Sequence, residues 1–304
     1  MFSKSLFTVI LIIVLLPIFS IGQENIEVTQ KSVSMSQGEQ PAYIVVVPQA
    51  DYNQVLKEWK KTIRQNTKSK VEENEHELFI AGTLISSIHH QPINIYSAVI
   101  EKDSVIKVVA VFEIDSVFFA YSEENHDLKN EKTYHQIKNF MRDFAVSQYT
   151  YAIGLELSAA EKLLKTQNKD LKELGKQNEI YQKEMKESEQ NIKNSEDLIS
   201  SYEKDSERKL SEINSKKESI VGLADDPALA SQAKDQLKTL EKEKKNISDK
   251  LEKEQKNIVK NQSNIEELNR YIEDNTEKQT AKKEEIENQE DVVDALKVKL
   301  AGIK

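Results

Sequence analysis

Histidines are the residues of this 304-residue sequence whose chemistry would be easiest to recognise. His89 and His90 are adjacent between two predicted strands, and His76 precedes the first strand, so a metal pair across a sheet can be imagined. The spacing matches no standard metal site, and adjacent residues of a strand point to opposite faces. The other histidines are His126 and His135. We therefore predict no metal site and no cofactor.

A nucleophilic enzyme would need an activated serine, threonine or lysine beside a base. The sequence has no glycine-flanked nucleophile elbow, and the run from Ser158 to Lys162 falls on a predicted coiled coil without a cleft. The seven glycines are scattered singly, so a glycine-rich phosphate loop is absent. We therefore predict that the protein is not an enzyme and that no residue is catalytic.

One alternative keeps a chemical role for the N-terminal part of the chain. Phe118, Phe119 and Tyr121, together with His89 and His90, could line a pocket between a sheet and a helix. Such a pocket would bind a small ligand or support hydrolysis, with the rest of the chain as a spacer. The competing interpretation of these residues is ordinary core packing.

Two heptad series, from about Ile153 to Leu300, predict a long coiled coil, because an apolar seam kept at spacing seven requires a partner helix. One heptad position of the first series holds Leu157, Leu164, Leu171, Asn178, Met185, Ile192, Ile199, Ser206, Ile213 and Ile220. The second series has Ala230, Leu237, Lys244, Leu251, Ile258, Ile265, Ile272, Gln279, Ile286, Val293 and Leu300.

The break between the two series predicts a hairpin. Gly222 can end the first helix in the left-handed conformation, and Asp226 with Pro227 fits the N-cap and first position of the next helix. The alternative is a parallel dimer kinked at Pro227. In the hairpin, facing residues have numbers that sum to about 453, which places Asn178 opposite Asn275; a slip of one heptad would give 446.

Residues 1–22 have the order of a secretory signal peptide: Lys4, an apolar run from Leu6 to Leu16, and small residues from Ser20 to Gly22. We therefore expect export to the periplasm or the medium, with a retained anchor as the alternative. The chain has no cysteine, which excludes disulfides and lipid modification of a cysteine. A formal charge of −9 makes nucleic acid and anionic membranes poor partners.

The region 23–148 reads as an α+β head domain, in which a small antiparallel sheet and helices form two layers. Residues 42–47 form an apolar run that predicts a strand buried on both faces, and Asp51 begins a helix whose Trp59 should anchor the core. Residues 149–304 then form the antiparallel coiled-coil hairpin, with its tip near 221–228. The two predicted domains follow the signal peptide of residues 1–22.

These features predict an exported, non-enzymatic scaffold, spacer or adaptor of the cell envelope that acts through protein contacts of head and coiled coil. The expected partner is an envelope protein or a second copy. The arrangement resembles the periplasmic adaptor subunits of efflux and secretion machines in shape only. In those proteins the hairpin interrupts a lipoyl-like half-motif, whereas here Lys304 follows the second helix directly.

Overall fold

The computed structural model describes residues 25–122, 128–223 and 226–303. The predicted signal peptide of residues 1–22 and His126 lie outside the described residues. No described helix combines the length and the apolar character that crossing a bilayer requires.

A seven-stranded antiparallel sheet forms the head, with spatial order β1-β2-β6-β5-β4-β3 and with β7 paired to β6. The strands are β1 (Val28–Met35), β2 (Gly38–Val47), β3 (Glu72–Asn74), β4 (Glu77–Thr83), β5 (Ile93–Lys102), β6 (Val105–Ile114) and β7 (Val117–Phe118). The helices are α1 (Tyr52–Ile63), α2 (Leu128–Val221) and α3 (Pro227–Gly302). The predicted fold class, an α+β head with a helical hairpin, is confirmed.

The sheet differs from a simple meander at two places. Strand β2 lies beside β6, because the chain leaves β2 through α1 and returns through β3 at the opposite edge. The short segment Glu72–Asn74 is the edge strand β3, which pairs with β4. The prediction that β2 is buried on both faces is wrong for Val46, which is 40% exposed, because no helix covers that face.

The helices cover one face of the sheet. Asp51 caps α1 by accepting a hydrogen bond from the backbone N–H of Gln54 at 2.9 Å, as predicted. Trp59 is fully buried and contacts the rings of Phe140 and Phe144 on α2, so its predicted role as a core anchor is confirmed. The sheet residues of this core include Tyr43, Val45, Ile95, Val108 and Phe112.

The last turns of α3 contribute to the same core. Leu296, Leu300 and Ile303 pack against it, and the Lys299 ammonium lies 2.6 Å from the side-chain oxygen of Gln49. By packing, one compact unit therefore contains 25–162 together with 290–303, and a second contains 163–289. This division groups the base of the hairpin with the head, and the limit between 148 and 149 stays a prediction.

The hairpin of the second unit has the predicted turn chemistry at its second helix. Asp226 accepts hydrogen bonds from the backbone N–H groups of Ala228 and Leu229, and α3 begins at Pro227. Helix α2 ends at Val221, but Gly222 does not adopt the left-handed conformation that we predicted. Its N–H instead continues the helical pattern to the carbonyl of Glu218 at 3.3 Å, so a helical φ suffices here.

Contacts across the hairpin establish its register. Tyr181 packs on Tyr271, Asn264 donates to Ser188, and Lys209 pairs with Glu243, so each pair of numbers sums to 452. This is one residue from the predicted 453 and far from 446, which confirms the register. Among the described residues of 163–289, the buried ones lie along two seam positions of the heptad. Ile213 and Ile286 belong to the heptad position given above, and Ser188, Ser195, Ala233, Leu268 and Asn275 lie three residues further on in their heptads.

Candidate groove on the open face of the sheet

The distal half of the β1–β2 hairpin leaves the plane of the sheet. Strand β2 pairs with β6 only from Tyr43 to Val47, while its pairing with β1 continues to Gly38. Pro41, which has no N–H to donate, lies in the part that no longer pairs with β6. Strand β7 pairs with the end of β6 instead.

The hairpin tip reaches the other side of the sheet. The Ser36 backbone N–H donates to one carboxylate oxygen of Glu77 at 2.9 Å, and the Ser36 hydroxyl donates to the other at 2.5 Å. Because β2, β6 and β5 separate β1 from β4 in the sheet, this contact spans the face that the helices leave uncovered. Two hairpins, β1–β2 and β3–β4, therefore meet across an open face.

A groove of about 870 Å³ lies between these hairpins. Its floor is apolar and includes Met35, Phe79, Tyr96, Ala98 and Val109. The Phe79 and Tyr96 rings lie 4.6 Å apart, and the floor continues into a small second cluster around buried Val109. An uncovered apolar surface of this kind is typical of an interaction site rather than of a solvated sheet face.

The rim of the groove is acidic. Glu72, Glu75, Glu77 and Glu101 line it, and none of the described lining residues is lysine or arginine. Lys107, which lies opposite Ile100 in the β5–β6 ladder, is not among the lining residues. The arrangement favours a cationic occupant, because carboxylates around an apolar floor repel anions and attract cations.

Strand β5 has an unpaired edge inside this groove. It pairs with β4 from Ile93 to Ser97, but its pairing with β6 continues to Lys102. The left-handed residues Asp103 and Ser104 form a two-residue turn, so Lys102 and Val105 are a hydrogen-bonded pair.

Alternation along the strand decides which backbone groups remain open. From the hydrogen-bonded pair at Lys102, the N–H and C=O groups of Val99 and Glu101 point away from β6, towards the side that β4 leaves uncovered. Within the described part of the chain, neither residue has a backbone hydrogen bond outside the β5–β6 ladder. Both residues also line the groove.

Tyr96 is held in place beside the groove floor. Its hydroxyl donates to Glu113 at 3.4 Å, and the same carboxylate accepts from the Asn94 amide at 3.0 Å. Burial and the negative charge of Glu113 raise the pKa of Tyr96, so the phenol remains a neutral donor in the physiological pH range. The ring is therefore fixed before any partner arrives.

The structure does not assemble the pocket that the sequence suggested. Tyr121 stacks on Tyr134, and Phe119 packs against the main core on the helix side of the sheet. Phe118 instead lies against Tyr96, on the face that the helices leave uncovered. None of these three lines the groove, and neither does His89 or His90.

The histidines do not converge on one site. The ring Nδ1 of His89 accepts a hydrogen bond from the backbone N–H of Gln91, His135 lies against Tyr134, and His76 is on the groove rim. Among the described residues, no group of three or more histidine, aspartate or glutamate side chains could hold a metal ion.

Sequence reasoning missed the groove, although β5 carried a signal for it. Successive residues from Tyr96 to Ile100 alternate between the two faces of the sheet, and both sets contain large apolar side chains. Only one set could contact the helices. The apolar outer set was therefore the sign of a second contact surface.

The seam of the hairpin contains a polar layer that is a second candidate contact region. Glu254 occupies a seam position, where its carboxylate accepts from the Asn257 amide at 3.0 Å and from the Ser195 hydroxyl at 2.9 Å. These two hydrogen bonds lower the pKa of Glu254. The layer is satisfied within the hairpin, so it leaves no polar group that requires a partner.

Comparison with known proteins adds no further residue to either region. No protein-family model matches the chain, and no match was found among curated proteins or solved structures. The function must therefore be argued from the groove itself.

Proposed function

We propose that this protein is an exported, non-enzymatic adaptor of the cell envelope that holds a partner protein in the groove of its head. The observation that carries the proposal is the groove on the uncovered sheet face, with its apolar floor and its unpaired strand edge. Export rests on the order of charged, apolar and small residues in 1–22. The long hairpin is the second protein-contact element of the adaptor.

A protein partner fits the groove better than a small substrate does. Enzyme pockets enclose their ligands and bring together a few polar groups with perturbed protonation. Here the concavity is open, its four carboxylates lie on the rim, and its floor is hydrocarbon and aromatic. Such a surface suits the side chains of a polypeptide laid across it.

The proposal can be tested by site-specific photo-crosslinking in the native cells. A photoreactive amino acid replaces Ile100, which is 44% exposed in the groove, or Val117, which is 66% exposed and outside it. We expect a discrete polypeptide adduct at Ile100 that is lost when Met35→Asp places a charge on the floor. The same adducts at both positions, or none at Ile100, would refute a groove-specific partner.

Cell fractionation tests the export half of the proposal. The mature chain should appear in the periplasm or the medium, shortened at a site near Gly22. A full-length precursor confined to the cytoplasm would contradict it.

A further inference from the structure

We infer that the groove binds an extended, basic segment of the partner polypeptide by strand addition to the open edge of β5. This inference rests on the proposed adaptor function and names the chemistry of its partner. The main-chain groups of Val99 and Glu101 would pair with the segment, while the rim carboxylates would bind its lysine or arginine side chains.

The edge geometry favours an extended backbone over a helix or a small ligand. A strand edge presents N–H and C=O groups at the spacing of another strand, and each unpaired group is a ready hydrogen-bonding site. Strand β4 begins at Glu77, opposite Ala98. No strand therefore pairs with β5 on this side from Val99 to Lys102, and an incoming segment would continue the line of β4 there. At about 3.4 Å per residue, an incoming segment of five residues would cover roughly 17 Å of this edge.

The two faces of such a segment would meet different surroundings. Side chains on the groove side would contact Ile100, Phe79 and Met35, so they should be apolar. Glu72, Glu75 and Glu101 are exposed on the rim and face solvent, so lysine or arginine elsewhere in the segment would pair with them. An alternating basic and apolar segment satisfies both requirements.

Charge also argues against a second copy of this chain as the occupant. Two copies paired edge to edge through β5 would place the Glu72, Glu75 and Glu101 carboxylates of each copy near those of the other. Like charges facing each other across strands are destabilising. A basic partner segment removes this repulsion, which is why we assign the groove to a partner polypeptide.

The direct test measures binding of defined peptides to the full chain by fluorescence anisotropy. The first probe is a labelled eight-residue peptide that alternates lysine and valine, and the second alternates glutamate and valine. A third is the lysine peptide with N-methyl groups on the amides that would face β5. We expect the lysine peptide to bind at least tenfold more tightly than either of the others.

Protein variants separate the charge contribution from the backbone contribution. The triple variant Glu72→Gln, Glu75→Gln, Glu101→Gln should weaken binding of the lysine peptide about tenfold. The matched control Glu179→Gln, Glu184→Gln, Glu189→Gln changes the net charge equally on exposed positions of α2 and should leave binding unchanged. Val99→Pro removes one open N–H that is not part of the β6 ladder, and it should also weaken binding about tenfold. Because the Val99 side chain packs in the head core, circular dichroism must show that this variant is folded before its binding is compared.

Several outcomes would overturn the inference. Equal loss in the control variant, or equal binding of the N-methylated peptide, would show non-specific charge attraction without strand addition. A dimer that Val99→Pro dissociates would make a second copy the occupant. If crosslinking at Ile100 succeeds while the lysine peptide fails to bind, the adaptor proposal stands and the basic extended segment is wrong.

Discussion

Trp59 and Ser97 join helix α1 to strand β5 through a hydrogen bond of 2.9 Å from the indole N–H to the serine hydroxyl oxygen. Both side chains are completely buried. An indole N–H in the core needs such an acceptor, because its water is lost on folding. Ser97 supplies the acceptor from a position between the buried side chains of Ile95 and Val99 on this face of the strand.

Removing that acceptor should destabilise the head. Ser97→Ala leaves the indole N–H buried and unpaired, and we expect the free energy of unfolding to fall by about 2 kcal/mol. Exposed Ser34 provides the control, since Ser34→Ala should change stability by less than about 0.5 kcal/mol. Urea denaturation of the two variants measures the difference, and equal midpoints would show that the hydrogen bond contributes nothing.

Tyr43 differs from Trp59, because the Tyr43 hydroxyl is buried without a hydrogen-bond partner in the described structure. Tyr43→Phe removes this cost and should be neutral or stabilising by up to about 1 kcal/mol at neutral pH. Tyr151→Phe, at a side chain that is 48% exposed, is the matched control. A loss of more than about 1 kcal/mol in Tyr43→Phe would reveal a partner for this phenol.

Alkaline pH gives an independent test of the same residue. Burial, and secondarily the neighbouring Tyr134, raises the pKa of Tyr43 above its ordinary value of 10.0. Above pH 10 the unfolded chain releases this proton while the folded chain keeps it, so the stability that is complete below pH 10 declines as pH rises. The wild type should therefore lose up to about 1.4 kcal/mol per pH unit more than Tyr43→Phe.

Asn178 and Asn275 occupy facing layers of the hairpin seam but are not equivalent. The side-chain oxygen of Asn178 is buried without a partner, whereas that of Asn275 accepts from the Gln279 amide at 2.6 Å. Asn178→Leu should raise the melting temperature clearly, by the equivalent of about 1–2 kcal/mol, and Asn275→Leu should raise it less. The exposed control Asn191→Leu should have little effect. Equal gains at all three positions would mean that helix propensity, not burial, is responsible.

The register can be tested by disulfide formation, since the wild type has no cysteine. Ser188 and Asn264 are in contact at 3.3 Å, so the pair Ser188→Cys with Asn264→Cys should oxidise within one chain. Ser188→Cys with Asn257→Cys moves the second cysteine by one heptad and should remain reduced. Non-reducing electrophoresis of the two pairs distinguishes them, and preferential oxidation of the second pair would refute the register.

How much the sequence predicted depends on whether the signal was local. Heptad spacing, the Asp226 cap and the burial of Trp59 depend on neighbours a few residues away, and all three were predictable. The position of β2 beside β6 depends on pairing between residues 59 to 67 positions apart, for which strand patterns give no order. Gly222 was misjudged because glycine permits the left-handed conformation without requiring it.

The candidate site was less predictable than the fold. The groove exists for two reasons. The tip of the β1–β2 hairpin reaches Glu77, and β5 extends four residues beyond the point where its neighbour β4 begins. Neither strand length nor hairpin curvature is encoded by a motif. The aromatic pair Phe79 and Tyr96 was visible in the sequence, but nothing local showed that both would remain outside the main core.

The packing of Leu296, Leu300 and Ile303 against the head core carries a consequence for biosynthesis. These residues follow the whole hairpin in the chain, while their core partners on the sheet precede it. During translation from the N-terminus, the sheet and α1 emerge long before the segment that completes their core. The head should therefore stay loosely packed until synthesis is nearly finished, and it should reach its final packing only when the last helical turns arrive.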